Sequence, residues 1–130
     1  MQVEHLLMEG DVRMTVSDYA NAVKTFQRLV ELVPDRAPFR VKLAIAMTFN
    51  PPTQKTAERE FLEAIRLDPQ NADVHFQFGL YYKAMRVKSR AIAELQTAVR
   101  LNPRHKMARQ ELEALSPKDS VLTSLKKLLK

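Results

Sequence analysis

The sequence contains no cysteine, no tryptophan and only two glycines, and each shortage closes off a class of function. Without cysteine there is no disulfide framework and no thiolate metal site. Two isolated glycines cannot build a phosphate-cradling loop. No apolar run approaches the roughly 20 residues that span a bilayer. The first residues, Met1-Gln2-Val3-Glu4-His5, lack the basic stretch of a secretory signal. The expectation from these absences is a cytoplasmic chain with no membrane role. The 130 residues, 45% of them hydrophobic, suffice for one domain with a continuous core.

Charge is uneven. Residues 1–70 hold 9 Lys/Arg and 10 Asp/Glu, a net of −1, whereas residues 71–130 hold 12 and 5, a net of +7. The positive field of the second half favours acidic partners without identifying one.

What is present is a repeat. Ala22, Ala57 and Ala91 are each followed four residues later by a bulky apolar residue (Phe26, Phe61, Leu95). Twelve residues after each alanine stands a proline: Pro34, Pro69 and Pro103. A period of 34–35 residues marks a helical repeat array. Apolar spacing and breakers predict helices over about 4–14, 18–32, 37–49, 54–67, 72–85, 88–101 and 105–115. Ser17 or Asp18 caps the second helix and Asn71 the fifth. Asn50-Pro51-Pro52-Thr53 forces a break and holds the one-residue insertion that lengthens the middle repeat. The two glycines share one phase, since Gly10 to Pro34 and Gly79 to Pro103 are both 24 residues. A residue without a side chain lets the two helices of a pair approach closely. In the middle repeat Ala44 takes that place. Phe26, Phe61 and Leu95 are expected to be equivalent core residues.

This pattern resembles the tetratricopeptide repeat (TPR) family. The third repeat carries the resemblance through Phe78, Gly79, Tyr82, Ala91, Leu95, Ala98 and Pro103. The second carries it through Ala57, Phe61, Ala64 and Pro69, and the first through Gly10, Tyr19, Ala22, Phe26 and Pro34. The first departs with Arg13 where an aromatic is usual and Leu29 where a small residue is usual. The resemblance implies an all-α, right-handed α-solenoid of three helix–turn–helix units. The repeats cover about 3–36, 37–71 and 72–105, with a capping helix at 105–115. Together they form a domain over 1–115, followed by a basic amphipathic tail over 116–130. Each pair buries its neighbour's apolar face, and the last helix offers a polar outer surface.

For function, the resemblance implies a protein-binding scaffold that takes a partner segment on the concave face. Such arrays occur in bacterial multi-protein systems and in co-chaperones. Carried over by register, the groove residues are Glu4, Leu7, Asp11, Val41, Ile45, Thr48, Asp73, Phe76, Leu80 and Lys83, with Gln110 extending it. The apolar members Val41, Ile45, Phe76 and Leu80 either line a groove for an amphipathic segment or pack inside. Some family members clamp acidic tails with Lys-x-x-x-Asn on the first helix and Lys-x-x-x-Arg on the fifth. Leu7…Asp11 and Phe76…Leu80 stand there instead, so that clamp is not expected. The cluster Lys83, Arg86, Lys88, Arg90, Arg100, Arg104, Lys106 and Arg109 reads as a solvated surface. With no exposed aromatic for base stacking, nucleic acid is not the expected partner. His5, His75 and His105 form no metal-ligand spacing, and Glu58, Glu60 and Glu63 read as a solvated helix face. No cofactor, metal or enzymatic chemistry is expected. The tail, with Val121, Leu122, Leu125, Leu128 and Leu129 against Lys126, Lys127 and Lys130, is expected to dock or to self-associate through residues 119–130.

Overall fold

In a computed structural model, residues 2–117 together with 128 and 129 are described. Among them are seven α-helices and no strand. They are α1 (Gln2–Thr15), α2 (Tyr19–Leu32), α3 (Ala37–Phe49), α4 (Ala57–Leu67), α5 (Ala72–Ala84), α6 (Lys88–Leu101) and α7 (Lys106–Leu115). The chain divides into two compact units, Met1–Pro69 and Gln70–Lys130. The expected tail lies outside the described residues except for Leu128 and Leu129.

In the first unit α2 packs on α1, α3 on α2 and α4 on α3. Phe26, Leu29, Ala44, Ala46 and Phe61 form a closed core. Gly10 is buried, and a Cβ built there would stand 2.8 Å from Phe26 Cδ1 and closer still to the ring edge. Ala44 is fully buried at the matching place of the next pair. Arg40 ties α3 to α4. Its Nη1 donates to both Glu60 carboxylate oxygens at 2.9 and 3.0 Å, and its Nε donates to the Pro34 carbonyl at 3.1 Å.

The insertion is absorbed locally. Pro51–Thr53 forms a single 3-10 turn, so α4 starts at Ala57 and not at 54 as the apolar spacing suggests. The Thr53 hydroxyl lies 2.9 and 3.0 Å from the Met47 and Asn50 carbonyls and shares its one hydrogen between them, reinforcing acceptors that also take backbone N–H groups of Asn50 and Thr53.

In the second unit α6 packs on α5 and α7 on α6. Phe76, Leu95, Ala98, Val99, Ala108 and Leu112 form its core, with Leu80, Ile92 and Leu115 against it. A Cβ at Gly79 would approach Leu95 Cγ to 2.9 Å. Asn71 caps α5, its side-chain oxygen accepting from the Asp73 and Val74 N–H groups.

The two units repeat one local design 69 residues apart. Gly10 corresponds to Gly79, Phe26 to Leu95 and Pro34 to Pro103. The turns between α1 and α2 and between α5 and α6 match in detail. Ser17 and Arg86 both adopt left-handed backbone, at φ 61° and 62°. The next N–H reaches back to a helix carbonyl in both: Asp18 to Arg13 at 2.8 Å and Val87 to Tyr82 at 2.9 Å. This closure satisfies the last carbonyls of the helix and normally favours glycine at the left-handed residue.

The capping differs. The Asp18 carboxylate accepts from the Asn21 N–H at 3.4 Å and from the Asn21 side-chain amide at 2.9 Å. Those Asn21 bonds, with Arg13 beside them, hold the Asp18 carboxyl below its ordinary value. Val87, at the corresponding place, has no cap to offer.

Candidate functional site

In the first unit a concavity of about 220 Å³ opens between α1 and α3, lined by Asp11, Met14, Phe26, Lys42 and Ile45. Its apolar lining is Met14, Ile45 and, beneath them, the edge of the buried Phe26 ring. Across the mouth Lys42 Nζ donates to Asp11 Oδ1 at 2.8 Å. The same ammonium lies 5.9 Å from the centroid of the Phe26 ring, within cation–π range. One carboxylate and one ammonium thus bracket a hydrocarbon floor. The pair is half exposed and its charges cancel.

The sequence-predicted residues of this unit divide. Asp11 and Ile45 line the concavity, and Leu7, half buried, lies one turn before Asp11 on α1. Glu4 is exposed. Val41 and Thr48 are buried, and the Thr48 hydroxyl is spent on the Ala44 carbonyl at 2.8 Å. Neither is available to a ligand, because α3 is packed between two helices and buries both flanks. Met14, Phe26 and Lys42 are additions. The sequence signal at Phe26, a glycine sixteen residues earlier, marks the close approach of α1 to the ring and points to packing, not to a ligand.

In the second unit, the predicted residues Asp73, Phe76, Leu80 and Lys83 do fall on one stripe of α5, but that stripe faces α7 and the residue before it. Phe76 is 2% exposed and belongs to the core. Its ring sits 4.7 Å from that of His105. Leu80 packs against the same core. Lys83 Nζ donates to Glu111 Oε2 at 2.7 Å. His105 Nδ1 accepts from the Ala108 N–H at 3.1 Å and so caps α7. The proton of the neutral ring is thereby placed on Nε2, which stands 3.4 Å from Asp73 Oδ1. Of the two readings left open for Phe76, lining a groove or packing inside, the second holds: an apolar residue opposite a capping helix is consumed by it. Gln110 is exposed on α7.

Several of the other polar groups have structural partners. His75 Nδ1 lies 3.0 Å from Glu94 Oε2. Among the described residues no three His, Cys, Asp or Glu side chains gather as metal ligands, and no helix is long and apolar enough to cross a membrane. Of the basic cluster, Lys83 is paired, Arg90 lies 5.7 Å over the Tyr82 ring and Arg100 bonds Thr97. One aromatic is exposed after all. Phe49, 54% exposed, is stacked on Tyr19 at 5.2 Å in the first unit, away from that cluster in sequence.

The architecture is that of a helical-repeat protein built from antiparallel pairs with a 34-residue register. Comparison with solved structures makes it specific: the chain has the TPR fold. The first TPR domain of human RPAP3 superposes with a TM-score of 0.79 at 18% identity, covering 97% of this chain and 96% of that one. The second TPR domain of human RPAP3, solved in complex with the HSP70 peptide SGPTIEEVD, gives 0.76 at 21% identity over 88% and 95%. The Sgt2 TPR domain from Aspergillus fumigatus gives 0.79 at 17% identity over 89% and 78%. No family model and no curated protein matches the sequence.

Proposed function

We propose that this chain is a protein-interaction scaffold that holds a segment of a partner protein and carries out no chemistry of its own. The observation that supports this reading best is the cleft between α1 and α3, with apolar walls of Met14 and Ile45 above the buried Phe26 ring and the Asp11–Lys42 pair at its rim. Its volume, about 220 Å³, is below the roughly 300–1,000 Å³ of small-molecule sites. It suits one apolar side chain of an extended or helical segment. Asp11 can accept an N–H of that segment and Lys42 can donate to a carbonyl, which orients the chain around its anchor. A structural neighbour that is complexed with a peptide lends the scaffold reading support.

The proposed ligand is not an acidic tail. Leu7 and Asp11 bring no cation to α1, and Lys42 is already neutralised by Asp11. The cleft favours an uncharged anchor.

The test uses peptides selected from a random displayed library against the full chain. Calorimetry should show that Ile45→Lys abolishes binding and that Gln27→Lys, on the exposed face of α2, leaves it unchanged. The acidic peptide SGPTIEEVD should not bind. Selected peptides that ignore Ile45→Lys, or tight binding of the acidic peptide, would remove this reading.

A further inference from the structure

The helix faces that stack within each unit have one exposed copy. In α7, Leu112 is fully buried against α6 and Leu115 packs on the same core. In α3, the residues at the same repeat phase, Leu43 and Ala46, are buried. In α1 that phase holds Glu9 and Val12. Here the face is open: Met8, Val12 and Val16, at i, i+4 and i+8, are 68%, 55% and 64% exposed. The face is therefore an apolar stripe with a carboxylate at its centre. The segment suited to it is an amphipathic helix that brings apolar residues at helical spacing and a cation beside them, because a carboxylate covered without one is costly.

The chain holds such a segment. One period of 34 residues after α6, Leu125 has the phase of Ala91 and Leu129 the phase of Leu95. Residues 119–130 thus carry the apolar spacing of the second helix of a pair. They interleave Lys126, Lys127 and Lys130 with Leu122, Leu125, Leu128 and Leu129. Leu128 and Leu129 are 80% and 60% exposed. The charges also complement one another. α1 bears Glu4, Glu9 and Asp11 against a single Arg13, and residues 1–70 are net −1 against +7 for 71–130.

We infer that residues 119–130 of one copy dock on the Met8–Val12–Val16 stripe of a second copy, with Lys126 or Lys127 meeting Glu9. The repeat then continues from chain to chain through a contact between unlike surfaces. This goes beyond the peptide cleft, which lies on a different face of α1.

Sedimentation equilibrium of the full chain over a wide concentration range tests it. The weight-average mass should rise above the 15.0 kDa of the monomer with concentration, and less so in high salt. Val12→Glu and Leu125→Glu should each weaken association about tenfold or more, since each places a carboxylate in an apolar contact. Circular dichroism of Val12→Glu should match the wild type, because Val12 is a surface residue. Glu9→Lys should also weaken association, and mixing it with a Lys126→Glu, Lys127→Glu chain should restore a mixed complex. A mass fixed at 15.0 kDa at all concentrations would overturn the proposal. So would association that survives Val12→Glu, or that is lost on Ile45→Lys instead.

Discussion

Gly10 of α1 lies directly against the ring of Phe26 in α2, with no room for a Cβ between them. The ring is 1% exposed. Gly10→Ala adds helix propensity, worth about 1 kcal/mol, but overpacks the pair by about 1–3 kcal/mol. The expected net result is destabilisation, seen as a lower urea midpoint. Gly79→Ala meets Leu95 at 2.9 Å, a softer neighbour, and should cost less. Equal effects, or a gain at Gly10, would contradict the close-approach account of these glycines.

The turn after α5 offers an improvement. Val87 stands where Asp18 caps α2, with similar backbone: φ −102°, ψ 74° against φ −90°, ψ 69°. Val87→Asp should place its carboxylate over the Arg90 N–H as Asp18 does over that of Asn21. A new cap contributes about 1 kcal/mol, and the helix N-terminus favours a negative charge. Thermal unfolding should move upward, and a downward shift would show that Val87 packs in a way its 38% exposure conceals.

Arg86 and Ser17 carry the same strain. Each is a non-glycine residue with φ near 60°. Replacing either with glycine removes a left-handed penalty of about 1–2 kcal/mol and adds unfolded-state freedom of about 0.4–1 kcal/mol. Arg86→Gly should stabilise by about 0.5–1 kcal/mol in denaturant titration. A loss would mean that the arginine side chain stabilises the turn by more than its backbone strain costs.

Phe61 is 1% exposed and equivalent to Phe26 and Leu95. Phe61→Ala should cost about 3–5 kcal/mol. A urea midpoint unchanged from wild type would remove Phe61 from the core.

These positions show what was legible in the sequence. Helix bounds from Pro34, Pro69 and Pro103, the caps at Asp18 and Asn71, and the glycine phase all come from local chemistry, and the structure places them at the expected residues. The start of α4 was not legible, because a 3-10 turn and a continued helix share the same apolar spacing over 51–57. The candidate site was half legible. Register placed Asp11 and Ile45 on the groove side of their helices. It could not separate the stripe of α5 that meets α7 from a stripe that stays open, so it left both readings of Phe76 standing. Lys42 escaped notice because its role rests on Asp11, 31 residues away. The cap from His105 was hidden because imidazole is not an expected helix cap.

The central claim is that a partner segment anchors between α1 and α3. The most direct measurement is a nitrogen-15 chemical-shift map of the full chain titrated with a library-selected peptide. The amide shifts should centre on Asp11, Met14, Lys42 and Ile45, with the aromatic protons of Phe26 moving alongside. Shifts that leave these residues still and centre on α7, or on the exposed faces of α2 and α4, would contradict it.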